Sequence, residues 1–147
     1  MLVEPKSFSN RVIERNGKLG QDACEIMAAA INAVDPYVCV RNYISRSGDL
    51  LTIGSQKIDL DQIDRLFLIG FGKASVPMAA ALLDLVGEEI RSAAIITKSR
   101  RFATWEGYQQ KLNVMFGGHP VPTQESVEST RAILDELLHL TENDLVF

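Results

Sequence analysis

The sequence predicts an α/β domain built on a mostly parallel sheet, and two observations predict it. The first is a series of apolar runs without polar alternation, Leu66–Ile69, Ala93–Thr97, Leu112–Phe116 and Leu145–Phe147, as expected of strands covered on both faces. The second is what separates them. A helical stretch from Ala74 to Val86 joins the first two runs. Another, from Thr123 to Leu140, joins the last two and carries Val127, Ile133, Leu134, Leu137 and Leu138 on one stripe. Strand and helix in alternation imply right-handed βαβ crossovers, and hence a parallel sheet.

A chain of 147 residues, 46% hydrophobic and 23% charged, has the composition of an ordinary globular domain. Its net charge of −4 argues against a general nucleic-acid binder, with Lys98, Arg100 and Arg101 as a local basic cluster best explained as a solvated loop. No apolar run is long enough to span a membrane, and the polar first twenty residues lack the apolar core of a signal peptide. Cys24 and Cys39 stand in apolar, helix-like surroundings without a CxxC or histidine partner, so both are expected as reduced core thiols in a cytoplasmic protein. There is no internal repeat and no low-complexity segment.

In chain order, residues 1–17 show mixed charge and no sustained period and are expected to form an arm, the domain occupying 18–147. From Leu19 to Val34, Ala23, Ile26, Met27, Ala30, Ile31 and Val34 recur at helical spacing and predict a packing helix. Asp35-Pro36 supplies an N-cap and a first-turn proline for a short second helix. Ser45 to Asp49 is expected as a turn, and Leu50–Ile53 with Lys57–Leu60 around Gly54-Ser55 as a β-hairpin. The chain closes on Asp144–Phe147, a buried-type strand with no helix after it, as in a domain cut short.

The chemistry concentrates where the first apolar run breaks into Gly70-Phe71-Gly72-Lys73-Ala74-Ser75. Spaced glycines let the backbone turn tightly or admit a ligand, and Lys73 then stands beside a helix N-terminus, where amides and dipole already favour an anion. Strand ends also carry Thr97-Lys98 and Gly117-Gly118-His119-Pro120, and ligands of open α/β sheets sit at the carboxyl ends of strands. One reading is an anion pocket formed by Lys73 and the backbone amides near Gly72 and Ala74. The other is a tight turn with a solvated lysine. Spacing alone leaves both open. The Walker pattern fails because Gly70 is followed too soon by Gly72-Lys73, and the dinucleotide fingerprint has Ser75 for its third glycine. Lys98 replaces the acid that an NAD enzyme places on the ribose, which leaves room for an NADP-type site. His119 could hydrogen-bond a substrate or act as an acid or base. Thr123 is expected to cap the following helix, with Glu125 in its first turn.

Gly70 to Ser75 with Met78-Ala79, Ile96-Thr97-Lys98, Gly118-His119-Pro120-Val121-Pro122, Asp144-Leu145-Val146 and the upstream Val34-Asp35-Pro36-Tyr37 together resemble the N-terminal domain of type-2 glycerate kinases. These are the MOFRL-associated family, sometimes labelled hydroxypyruvate reductases. The resemblance covers about Leu19 to the last residue. It implies a Rossmann-like three-layer sandwich and ATP-dependent phosphorylation of D-glycerate to 2-phosphoglycerate, with Mg²⁺, in a cleft between two domains. Lys73 matches the lysine central to catalysis. From their strand-end positions Gly70, Gly72, Ala74, Ser75, Lys98 and His119 are expected to bind substrate or nucleotide, and no protein metal ligand is expected. Thr123 replaces the family's usual acid after Pro-x-Pro. The glycine- and serine-rich segment and the C-terminal domain expected after Phe147 are not in this sequence. The expectation is therefore a fragment, inactive alone and prone to self-association through its truncated face, with neither nucleic acid nor membrane as partner. An NADP-linked hydroxypyruvate reductase and a non-catalytic oligomerisation module are the competing expectations.

Overall fold

The structure, a computed structural model, describes residues 3–8, 10–98, 107–108 and 110–147; Arg100 and Arg101 lie outside these. In chain order it runs α1 (Asn10–Ala33), α2 (Pro36–Tyr43), β1 (Ile44–Ser47), β2 (Leu50–Ile53), β3 (Gln56–Asp59), β4 (Arg65–Phe71), α3 (Ser75–Val86), β5 (Ile90–Thr97), β6 (Asn113–Phe116), α4 (Gln124–Glu136) and β7 (Asp144–Val146), with 3-10 turns at Pro5–Ser7 and Leu60–Gln62. The fold is α/β, as the sequence predicts.

The four apolar runs form one parallel sheet in the order β6-β5-β4-β7. Alternation along the strands divides its two faces. Leu68 of β4 and Ala93 and Ile95 of β5 pack with Val76, Ala79 and Leu83 of α3. Ile69 and Ile96 point the other way, toward Ile133 and Leu137 at and just past the end of α4. Helices thus lie on both faces, which makes three layers. The chain steps from β4 outward to β5 and β6, then crosses back under α4 to place β7 on the far side of β4. A reversal of strand order therefore falls between β4 and β7.

The smaller sheet, β1-β2-β3, is antiparallel. The expected hairpin is present as β2 and β3, with Leu50 opposite Asp59 and Gly54 at φ +58° in the turn. Residues 45–47, expected in a turn, instead form most of β1, because pairing with Leu50–Thr52 supplies the ladder bonds that their own polar sequence does not advertise. Leu51 is fully buried and joins Val40, Leu60, Leu66, Ala81 and Val86 in a second core. Arg46 fastens this sheet to α3, donating to Leu85 O at 3.0 Å, to Gly48 O at 2.7 Å and to the Glu89 carboxylate. The guanidinium holds the Glu89 carboxyl below its ordinary range, chiefly through that hydrogen bond.

The N-terminal region departs most from expectation. Helix begins at Asn10, inside the segment expected to be an arm, and breaks at Gly17, whose φ of 54° and ψ of −127° are not helical. Beyond the break, the stripe expected to pack inward is exposed: Leu19 at 79%, Ile26 and Val34 at 69%. The buried positions are the small ones, Gly20, Cys24 and Ala28. Cys39 is exposed, not in the core, while Cys24 is buried as expected. Among the described residues no single helix is long and apolar enough to cross a membrane.

Candidate functional site

The strand-order reversal between β4 and β7 opens a crevice at the carboxyl ends of the strands, the position where open α/β sheets bind ligands. A cleft of 880 Å³ lies there. Its floor is apolar, from Ile69, Ile96, Ile133, Leu137, Val146 and Phe147. Around this floor stand Gly72-Lys73 after β4, Thr97-Lys98 after β5 and Gly117-Gly118-His119 after β6. The structure thus brings together Lys73, Lys98, His119 and Gly72, four residues that the sequence marks as candidates from three separate strand ends.

Each strand end is fixed by local chemistry. β4 stops at Gly72, where φ of +109° reverses the chain into α3 in a conformation that side-chain-bearing residues rarely adopt. Gly72 N–H donates to Ile96 O at 2.9 Å, so this amide extends the sheet and is not offered to an anion. Ser75 is buried and its hydroxyl donates to Gly72 O at 2.8 Å, closing the turn. A Cβ on Gly70 would lie 3.1 Å from Ile95 Cγ2, which places Gly70 at a packing contact. Gly70, Ala74 and Ser75 do not line the cleft; they shape the turn that presents Lys73.

The β6 end is tied to α4. Ser126 Oγ accepts from Gly118 N at 2.9 Å and from Thr123 N at 3.1 Å, and Ser129 Oγ donates to Phe116 O at 2.9 Å. Thr123 is the N-cap of α4, with Glu125 in its first turn, as the sequence predicts. A Cβ on Gly118 would press on Thr123 Cγ2 and Val121 O, so the loop closes only with glycine there. His119 is held exposed at the mouth of the cleft.

Lys73 and Lys98 are both exposed, and among the described residues neither forms an ion pair. Two lysines therefore line the cleft with no neutralising carboxylate among the described residues. Thr97 adds a feature that its sequence position beside Lys98 only hints at. It is 2% exposed, belongs to the cleft lining, and among the described residues its hydroxyl has no hydrogen-bond partner. Buried polar atoms are nearly always paired, so this orphan at the end of β5 fits a place that takes a polar partner. The donor set suits phosphate or carboxylate oxygens. Among the described residues no Asp or Glu side chain lines the cleft, and no group of three or more His, Cys, Asp or Glu could hold a metal ion. The described lining residues thus fit the phosphates of a nucleotide, and they form no Mg²⁺ site by themselves.

A family model described as a domain of unknown function (DUF4147) matches residues 22–147. The chain is 30% identical over 124 residues to a D-glycerate 2-kinase of Thermotoga maritima, covering 84% of this chain and 26% of that protein. It is 30% identical over 138 residues to a glycerate kinase of Danio rerio, covering 87% and 27%. A crystal structure of a Pyrococcus horikoshii protein superposes with a TM-score of 0.65 at 28% identity, over 80% of this chain and 25% of that one. The chain spans about a quarter of the length of the relatives it matches.

Proposed function

The chain belongs to the DUF4147 domain family, and from that premise we propose that its cleft is one wall of a glycerate 2-kinase site. The observation that carries the reading is the convergence of Lys73, Lys98 and His119 at the strand-order reversal, with Thr97 in the same lining. In the reaction, the 2-hydroxyl oxygen of D-glycerate bonds to the γ-phosphorus of ATP as the bond to the β-phosphate bridging oxygen breaks. The hydroxyl proton passes to a base or to solvent, and 2-phosphoglycerate and ADP result. Such transfers depend on positioning and on donors that meet the charge spread over the phosphoryl oxygens. Lys73 supplies a positive charge on a turn that Gly72 and Ser75 make rigid. Lys98 and Thr97 add a second cation and a buried hydroxyl, and His119 is placed to hydrogen-bond substrate or to hold a proton.

The chain spans about a quarter of the relatives' length, so these residues supply one wall of such a site. The segment of 147 residues is expected to bind anions in the cleft without turning over ATP, in a reducing cytoplasm. The test is titration with D-glycerate, with ATP and with inorganic phosphate, followed by NMR of the backbone amides. Shifts confined to residues around Lys73, Thr97 and Gly118 support the reading, and an unresponsive cleft contradicts it. Lys98 favours a second reading, since a basic residue at the end of the second strand is where an NADP 2′-phosphate would sit. Saturable NADPH binding with no response to ATP or glycerate would favour the reductase over the kinase.

A further inference from the structure

Beyond Gly17, α1 presents two rows of different character. Gly20, Cys24 and Ala28 form the buried row, and Asn32 extends it. The N-terminal segment covers that row: a Cβ on Gly20 would come to 3.0 Å from Ile13 Cα, and the Asn32 amide makes two 2.8 Å bonds to the Val3 backbone. The second row is Leu19, Ala23, Ile26, Met27, Ala30 and Val34, all exposed and none charged. Val34 follows α1 directly and is held to it by its N–H donating to Ile31 O at 3.3 Å.

The exposed row has the same pattern from either end. Leu19 corresponds to Val34, Ala23 to Ala30, and Ile26 to Met27. Charges of opposite sign, Lys18 and Asp35, bracket it. We propose that this face is a two-fold, antiparallel contact between the α1 helices of two copies of this chain. A two-fold contact is self-complementary, each residue meeting its counterpart from the other end. An axis between Ile26 and Met27 sets Leu19 on Val34, Ala23 on Ala30 and Ile26 on Met27 of the second copy. The alanines, seven residues apart, recur on one side of the seam and let the helix axes approach closely. Antiparallel order also opposes the helix dipoles, whereas parallel order aligns them. Complete burial of the row would remove at most about 600 Å² per copy, about 1,200 Å² for the pair, which reaches the small end of specific interfaces.

Sedimentation equilibrium of the 147-residue chain at about 100 μM tests this, since an interface of minimum size associates in that range. A monomer–dimer equilibrium is expected, shifted at least tenfold toward monomer in Ile26→Glu. A monomer at that concentration overturns the proposal. So does a dimer unaffected by Ile26→Glu but broken by Leu134→Glu, which places the contact on the open face beside α4 and β7. Orientation is tested with conservative variants in a Cys39→Ser background. Ile26→Cys lies beside the axis and is expected to cross-link between copies. Leu19→Cys, about 20 Å from its own copy across an antiparallel seam, is expected not to. Cross-linking of Leu19→Cys with none of Ile26→Cys contradicts the antiparallel arrangement even if a dimer forms.

Discussion

Arg65 grips Asp144 from a neighbouring strand, with Nε donating to Oδ1 at 2.8 Å and Nη2 donating to Oδ2 at 2.6 Å. The residues are opposite each other in the parallel pairing of β4 with β7. Arg65 Nη2 also donates to His139 O, and Asp144 Oδ2 accepts from Thr141 N at 2.7 Å. The last strand is therefore latched at its first residue, and the latch fixes Val146 and Phe147 as cleft wall. Two-point guanidinium–carboxylate contacts are the strong form of this interaction.

The latch predicts an acid-sensitive strand. Arg65's hydrogen bond holds the Asp144 carboxyl well below its usual range, with the Thr141 bonds acting in the same direction and burial opposing them. A depressed folded-state value stabilises the fold above the unfolded-state pKa of about 3.9. That stability is lost as pH falls from there through the folded-state value. Urea unfolding midpoints of the native chain should drop below about pH 4, and Asp144→Asn should lower the midpoint at neutral pH while flattening this decline. Identical acid profiles for the two would contradict the latch.

At the alkaline end the same reasoning applies to Tyr108. Its hydroxyl donates to Asp84 Oδ1 at 2.7 Å, and Tyr37 donates to the other oxygen of that carboxylate. Burial first, and then the Asp84 bond, push the Tyr108 hydroxyl up to about 12. A raised folded-state value contributes stability fully below the unfolded-state pKa of about 10, which is lost as pH rises from 10 toward 12. Ultraviolet titration should show late-ionising tyrosine, and Tyr108→Phe should make unfolding less dependent on pH in that window. Ionisation of every tyrosine near 10 would refute this.

Much of this architecture is legible in the sequence, for identifiable reasons. The parallel strands announce themselves because strands covered on both faces need unbroken apolar runs, and Leu66–Ile69 and Ala93–Thr97 supply them. The α1 stripe misleads because periodicity reports that a face is apolar without reporting what covers it. Leu19, Ile26 and Val34 face solvent, while Gly20, Cys24 and Ala28 make the close contact. β1 is hidden because its polar residues owe their conformation to β2. At the site, Lys73, Lys98 and His119 could be marked from strand-end positions alone. The use of Gly72 N–H by the sheet and of Ser75 Oγ by the turn depends on three-dimensional pairing, as does the Arg65–Asp144 latch across 79 residues.

Core packing predicts a cost at Ile95. It is fully buried between α3 and the sheet, and Ile95→Ala should destabilise the chain by about 2–5 kcal/mol, the cost of lost burial plus an unfilled cavity. Denaturant unfolding with an unchanged m-value would report it. A loss under about 1 kcal/mol would mean that this core collapses around the gap or is already loose.

Thr97 separates ligand binding from fold. Its hydroxyl is buried and, among the described residues, unpaired, so Thr97→Val should leave stability unchanged or raise it by roughly 1 kcal/mol, the relief of an unsatisfied polar group. The same change should weaken phosphate or glycerate binding. Lower stability with undiminished binding would show that the hydroxyl serves the fold.

The most direct measurement is kcat for glycerate phosphorylation by Lys73→Ala, made in a polypeptide of the relatives' length that carries this segment. If Lys73 meets charge that grows in the transition state, kcat falls about a hundred- to a thousandfold, the usual cost of one lost electrostatic donor. Because Lys73 is exposed on its turn, thermal unfolding should move by no more than roughly 0.5 kcal/mol. A raised KM with kcat unchanged would mean that Lys73 holds substrate equally in ground and transition states. Unchanged kcat and KM in a well-folded Lys73→Ala protein would contradict the central claim and leave the Gly70–Ser75 turn a structural element.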